Sequence, residues 1–292
     1  MTPTNNDYVK RGFVQSPHGN IDYREAGEGP VILMIHGTPQ SSGRMAKAFP
    51  YLQDEFRCVA MSTMGYGDSD RPPEPYNTTE QFAQAAIWVL DGLGIEKAVV
   101  FGTHTGAVLA GCVAADWPER ITAAIFEEPF NWKSPARLAA MKSVHTGEGE
   151  REDGSHLVDM WNSVHNYSEE RTSAAGPPPK RTSDDLRQSV LDQIKANQGD
   201  DPALYEGMGW LGAAPWAICH YDMWDAAARI QAPTLVFHGA SSNLGRSHER
   251  FLETISDSKG IRPPAANQWS WNIDPELWSA EVKSFLHERA GL

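Results

Sequence analysis

Cysteine is scarce in this 292-residue sequence: Cys58, Cys112 and Cys219 lie far apart, and none belongs to a Cys-x-x-Cys pair. That spacing excludes a dithiol redox motif, and the apolar surroundings of Cys58 and Cys112 imply buried free thiols in a reducing compartment. Positive charge is short as well, with 25 Lys and Arg against 38 Asp and Glu and a formal net charge of −13. Nucleic acid and anionic membranes attract basic surfaces, so neither is expected as a partner. The longest strongly apolar run, Val31–Ile35, is too short to span a bilayer. Met1–Lys10 is polar and lacks the apolar core of a signal peptide, which makes a cytoplasmic protein the expectation. No His, Cys and Asp cluster has zinc-like spacing, and Gly65-Tyr-Gly-Asp-Ser-Asp70 lacks the third glycine of a dinucleotide fingerprint. No metal and no other cofactor is therefore expected. The partners left are a small-molecule substrate and, at most, a second copy of the chain in a homodimer.

What is present is an ordinary globular composition, 40% hydrophobic and 10% aromatic, in a chain long enough for one domain with an insertion. Phe13–Gln15 and Ile21–Arg24 flank a Ser-Pro-His-Gly-Asn turn and predict a hairpin. The continuous apolar run Val31–Ile35 suits a strand buried on both faces. A helix over Gly43–Leu52, a strand over Arg57–Met61, a helix over Thr79–Leu93 and a strand over Ala98–Phe101 come next. Helix Thr105–Asp116 and strand Ile121–Phe126 complete the alternation, which predicts an α/β fold with a doubly wound, mostly parallel sheet. From about Asn131 to Asp222 the texture is polar and helix-like, broken by Gly176-Pro-Pro-Pro179, with no buried-strand run. Alternation resumes at Ala232–His238, with helices over Ser247–Ile255 and Pro275–Arg289 after it. Residues 1–130 and 223–292 are thus expected to form the core domain and 131–222 an inserted helical cap.

Residues 100–106, Val-Phe-Gly-Thr-His-Thr-Gly, place a glycine-framed turn between a strand and a small-residue helix. Gly-x-Nuc-x-Gly in that context describes a nucleophile elbow, which thrusts one side chain into an active-site mouth. Here that side chain is His104, where a serine, aspartate or cysteine is expected.

Further segments are in register with the elbow. His36-Gly-Thr-Pro39 comes after a strand, Gly65-Tyr-Gly-Asp-Ser69 after the next, and Trp117-Pro-Glu-Arg-Ile121 after the elbow helix. From about residue 12 to the C-terminus this arrangement resembles the α/β-hydrolase superfamily, and it is similar in particular to haloalkane dehalogenases and zearalenone-type lactonases. The resemblance implies an α/β-hydrolase fold and an oxyanion hole from the backbone N–H groups of Thr38 and Thr105. It also implies positions for a nucleophile, a base and an orienting acid. The nucleophile position holds His104. The base position, seven residues before Pro275, holds Gln268, and the usual acid position holds Ser242. In the branch that places its acid after the elbow helix, 24 residues beyond the nucleophile, the matching residue is Glu128, with Glu127 as the alternative. The whole catalytic set is replaced rather than one residue.

Two functional readings are open. In the first, His104 is the general acid and base of a cofactor-independent enzyme, oriented by Glu128, acting on a small, largely apolar carbonyl, lactone or ester. Water is either a reactant or absent, as in elimination, isomerisation or cyclisation. In the second, catalysis has been lost and the protein binds a small ligand under its cap. A triad through His145, His156, His165 or His220 is a third arrangement, of which His220 lies best, where the cap returns to the sheet. His36, Gln268, Trp132, Trp210, Trp216 and His220 are the candidate substrate-binding residues, although strand-end histidines such as His36 and His238 also suit structural roles. The aromatic residues would favour a planar or apolar compound.

Overall fold

The computed structural model describes residues 9–145, 150–170, 182–197, 203–264 and 270–292. Among them the strands β1 (Lys10–Ser16), β2 (Gly19–Ala26), β3 (Val31–Ile35), β4 (Arg57–Met61), β5 (Ala98–Thr103), β6 (Ile121–Glu127), β7 (Thr234–Phe237) and β8 (Ser258–Ile261) form one sheet. Their order is β1-β2-β4-β3-β5-β6-β7-β8, with β2 antiparallel to both its neighbours and every pairing from β4 to β8 parallel. This is the doubly wound, mostly parallel sheet expected, and its central strands read as unbroken apolar runs because both faces are covered.

Alternation along each strand divides the core in two. Leu33, Ile35, Val59, Val100, Phe126 and Val236 face one side, packed with the helices Thr79–Gly92 and Thr105–Asp116. Ile32, Met34, Phe101, Ile125 and Phe237 face the other, packed with Phe49, Trp271, Trp278 and Phe285. The helix Thr79–Gly92 starts at a capping box, with the Thr78 hydroxyl accepting from the Gln81 N–H and the Gln81 side chain reaching back.

The stretch expected as one helix over Gly43–Leu52 is instead a short α-helix, Ser42–Met45, running into a 3₁₀ segment, Ala46–Tyr51. Pro50 lacks the N–H that a continuing α-helix needs. Strand β8 adds to the expected set. Its residues, Ser-Lys-Gly-Ile, are all half-buried at the sheet edge and carry no apolar run.

Between β6 and β7 the described residues hold the helices Pro135–Val144, Ser155–Glu170, Ser183–Asn197 and Ala213–His220. Ser183–Asn197 lies against the Ser41–Lys47 stretch. Ser41 donates to Asp192 Oδ1 at 2.7 Å, Arg44 pairs with Asp185 at 2.9 Å, and Lys47 pairs with the same carboxylate. The Gly-Pro-Pro-Pro sequence at 176–179 lies outside the described residues.

Candidate active site

β5 ends at Thr103 and its helix starts at Thr105, so His104 alone turns the chain, with φ 51 and ψ −117. A non-glycine residue in this region stores on the order of 1–3 kcal/mol of strain and persists only where its surroundings fix it. Here the His104 N–H donates to the Glu127 carbonyl at 2.9 Å, and its carbonyl accepts from Ala107 at 2.9 Å. The framing glycines permit contacts that no side chain would allow. A Cβ on Gly102 would lie 2.1 Å from the Gly106 oxygen, and one on Gly106 would lie 2.2 Å from the Ile35 oxygen and 2.5 Å from that of His36.

That close approach seats the elbow against the end of β3. The strand order reverses between β3 and β5, which opens a crevice beyond their carboxyl ends where ligands of such sheets bind. Into it come the start of the elbow helix and the loop after β3. Thr105 is the first residue of its helix, so its N–H has no carbonyl one turn back. Thr38 is half-buried, and its side chain bonds the buried Tyr66 hydroxyl. That hydroxyl also donates to the Trp210 carbonyl at 3.2 Å and accepts from the Ala214 N–H at 3.1 Å. Tyr66 therefore ties the loop after β3 to the chain at Trp210 and Ala214. The sequence offered only its place in a Gly-Tyr-Gly run.

His36 is buried under this loop. Its Nδ1 donates to the Gly37 carbonyl at 3.0 Å, and its Nε2 accepts from the Thr63 N–H at 3.0 Å. Burial lowers the imidazole to about 4, so it is neutral. With both nitrogens bonded to backbone, His36 staples the loops after β3 and β4.

Glu128 is fully buried, also at positive φ (56). Its Oε1 accepts from the Gly239 N–H at 2.6 Å and its Oε2 from the Ser242 hydroxyl at 2.5 Å. The two acid positions of the fold thus meet, carboxyl to hydroxyl. Among the described residues Glu128 makes no hydrogen bond to the His104 ring. Burial pushes its carboxyl up to about 8, with Ser242 and Gly239 opposing and the neighbouring Glu127 adding to the rise. Beside it the buried His238 sends Nε2 to the Pro129 carbonyl at 2.9 Å, so its Nδ1 is the acceptor for His248 Nδ1 at 3.0 Å.

Glu127 is equally buried. Its Oε1 accepts both the N–H and the hydroxyl of Ser270 at 2.5 Å, and burial raises its carboxyl to about 7. Ser270 carried no signal in the sequence. Gln268 lies outside the described residues.

The aromatic candidates separate. Trp210 is buried, with Gly65 so close that a Cβ there would meet its ring at 2.0 Å, and Arg71 sits over it at 5.6 Å. It is packing between the glycine-rich loop and the inserted chain. Trp132 and Trp216 are half-buried, the first against Phe130 with centroids 4.1 Å apart, the second against Tyr205 and His220. His220 itself is exposed, its Nδ1 on the Trp216 carbonyl at 2.8 Å.

The family model described as alpha/beta hydrolase fold matches residues 30–269. Haloalkane dehalogenase 2 of Mycobacterium bovis is 31% identical over 131 residues, 45% of this chain and 45% of its own length. Bifunctional epoxide hydrolase 2 of Mus musculus is 35% identical over 148 residues, 49% of this chain and 26% of its own. The chain thus spans less than half the length of either relative. Among solved structures, E-2-(acetamidomethylene)succinate hydrolase superposes with a TM-score of 0.74 at 19% identity, covering 96% of this chain and 99% of that one. Among the described residues no helix is long and apolar enough to cross a membrane.

Proposed function

Because this chain belongs to the alpha/beta hydrolase fold family, we propose that it is an enzyme whose general acid and base is His104, acting on a small, largely apolar carbonyl, lactone or ester compound. The observation that carries the reading is the conformation of His104. A strained backbone holds an imidazole on the elbow, at the mouth of the crevice where the fold binds ligands. An imidazole accepts and returns a proton near neutrality. The N–H groups of Thr105 and Thr38 are the donors for an oxygen gaining charge, whether in a tetrahedral adduct or an enolate. Either hydrolysis or proton transfer without water fits that pairing.

Glu128 enters as the buried carboxyl beside the elbow. With its oxygens on Gly239 and Ser242, it orients the strand end that receives the His104 N–H rather than the ring itself. The inserted helices act as a cap, with Trp132 and Trp216 as its half-buried aromatic faces toward substrate.

The test is turnover of an ester and lactone panel by the wild type and by His104→Asn of equal thermal stability. A loss on the order of 10²–10⁴ in kcat is expected. Equal turnover by both proteins would remove the reading. The engagement of Glu128 away from the ring favours a second reading, a ligand-binding protein without turnover. In that case His104→Ala changes the affinity for a panel compound while no panel member is consumed by either protein.

A further inference from the structure

Glu127 contacts the site twice, from opposite ends of the residue. Its carbonyl receives the His104 N–H at 2.9 Å, so the elbow hangs from it. Its carboxyl receives both donors of Ser270, the residue from which the chain enters the short helix Ser270–Ile273. The carboxyl is fully buried, and its second oxygen has no hydrogen-bond partner among the described residues. Directly across in register stands Thr103, the residue before His104, whose hydroxyl is also buried and without a partner among them. A carboxyl left half-satisfied in a core costs stability, and an alanine or leucine there would avoid the cost.

We propose that Glu127 is a positioning residue of the His104 site, holding the elbow through its carbonyl and the Ser270 segment through its carboxyl, so that the charge it carries sets the proton affinity of the imidazole. The inference rests on the reading of His104 as an acid–base group. Burial leaves the Glu127 carboxyl titrating near 7, where the protein would feel its change of charge. Among the described residues the other ionisable groups around it include Glu128, next in the chain, His104 on the elbow, and Arg262, whose charge acts on Glu128 and lowers its carboxyl. From β7 comes His238, adjoining the Phe237 that pairs with Glu127, and across Trp271 lies Arg44 at 5.1 Å from that ring. Arg44 is paired with Asp185, and burial holds His238 neutral. Among the described residues that leaves Glu127 and Glu128 as the groups whose ionisation, at about 7 and about 8, favours His104 imidazolium, and loss of either lowers the pH at which the ring gives up its proton.

The experiment uses the whole chain labelled with [13Cε1]histidine, the His104 resonance being assigned by its loss in His104→Asn. Its midpoint is tracked from pH 5 to 9 in the wild type, Glu127→Gln and Ser270→Ala. Glu127→Gln keeps an acceptor for Ser270 but removes the charge, and the midpoint is expected to fall by about half a unit or more. Ser270→Ala weakens the carboxylate by one donor and shifts the midpoint the same way by less, so it decides the matter should Glu127→Gln not fold. A His104 resonance that does not titrate, or has one midpoint in every folded protein, overturns the proposal. The readout needs no substrate, so a shift without turnover by any protein removes the catalytic reading and leaves this one standing.

Discussion

His104 holds two opposed demands in one residue. At φ 51 glycine is the residue the backbone favours, yet the position carries a branched ring. Replacing it with glycine relieves strain on the order of 1–3 kcal/mol and gives back about 0.5–1 kcal/mol through the freer unfolded chain. His104→Gly is therefore expected to be more stable than the wild type, by about 1 kcal/mol in urea unfolding, while losing any function of the ring. A decrease in stability would mean that the ring contributes packing greater than the strain it costs. Stability given up at one position for a particular side chain is what a functional residue does, and it sets His104 apart from His36, where both nitrogens serve the fold.

Among the elements, the helix Ser183–Asn197 shows how the inserted chain is held. Asp185 closes a capping box with Thr182, its Oδ2 accepting the Thr182 N–H at 2.8 Å while the Thr182 hydroxyl accepts the Asp185 N–H at 3.1 Å. Its other oxygen takes Arg44 and Lys47. Burial pushes the carboxyl up, but Lys47 and the Thr182 bonds outweigh it and hold the group down at about 2. One carboxylate thus starts the helix and docks it against the Ser41–Lys47 stretch. Asp185→Ala removes a cap and breaks the helix's ion pairs to Arg44 and Lys47, so amide exchange in residues 183–197 is expected to rise tenfold or more while β3, β5 and β6 keep their protection. Unchanged exchange in the helix would place its anchorage elsewhere, at Asp192 and Ser41.

This docking was not readable from the sequence, because Asp185 and Arg44 are distant in the chain and nothing local marks them as partners. The strands β3 to β6 were readable, since double burial writes itself as an apolar run and glycines mark the turns beyond β3, β4 and β5. β8 was not, because an edge strand needs no such run. The same division holds in the site. The elbow was visible through glycines that only close packing requires. The engagement of Glu128 by Gly239 and Ser242 joins segments more than a hundred residues apart, and counting could name both acid positions without revealing that they bond each other.

At the scale of the whole molecule, burial has left two sets of ionisable groups that pull stability in opposite directions with pH. Glu127 and Glu128 titrate at about 7 and about 8 when folded and near 4.5 when free, so folding holds their protons and their contribution is lost as pH rises through the folded values. His36 and His238, at about 4 and about 3 against 6.5 when free, contribute stability above 6.5 that is lost as pH falls. Between about pH 4.5 and 6.5 the two sets oppose one another. Above 6.5 these imidazoles are neutral in both states and the two carboxyls alone decide, so stability falls from pH 6.5 to 8. Glu128 supplies the larger share, about 2 kcal/mol, because its folded form keeps its proton through most of that window while Glu127 gives its proton up near the start. Glu128→Gln keeps one acceptor, for Gly239 or Ser242, and has no proton to lose, so it should flatten the decline measured by urea unfolding at pH 6.5 and 8. A wild-type stability that is level or rising across that interval would show that Glu128 is already ionised at neutral pH. It would then be a negative charge beside the elbow at neutral pH, and it would favour the imidazolium form of His104 there.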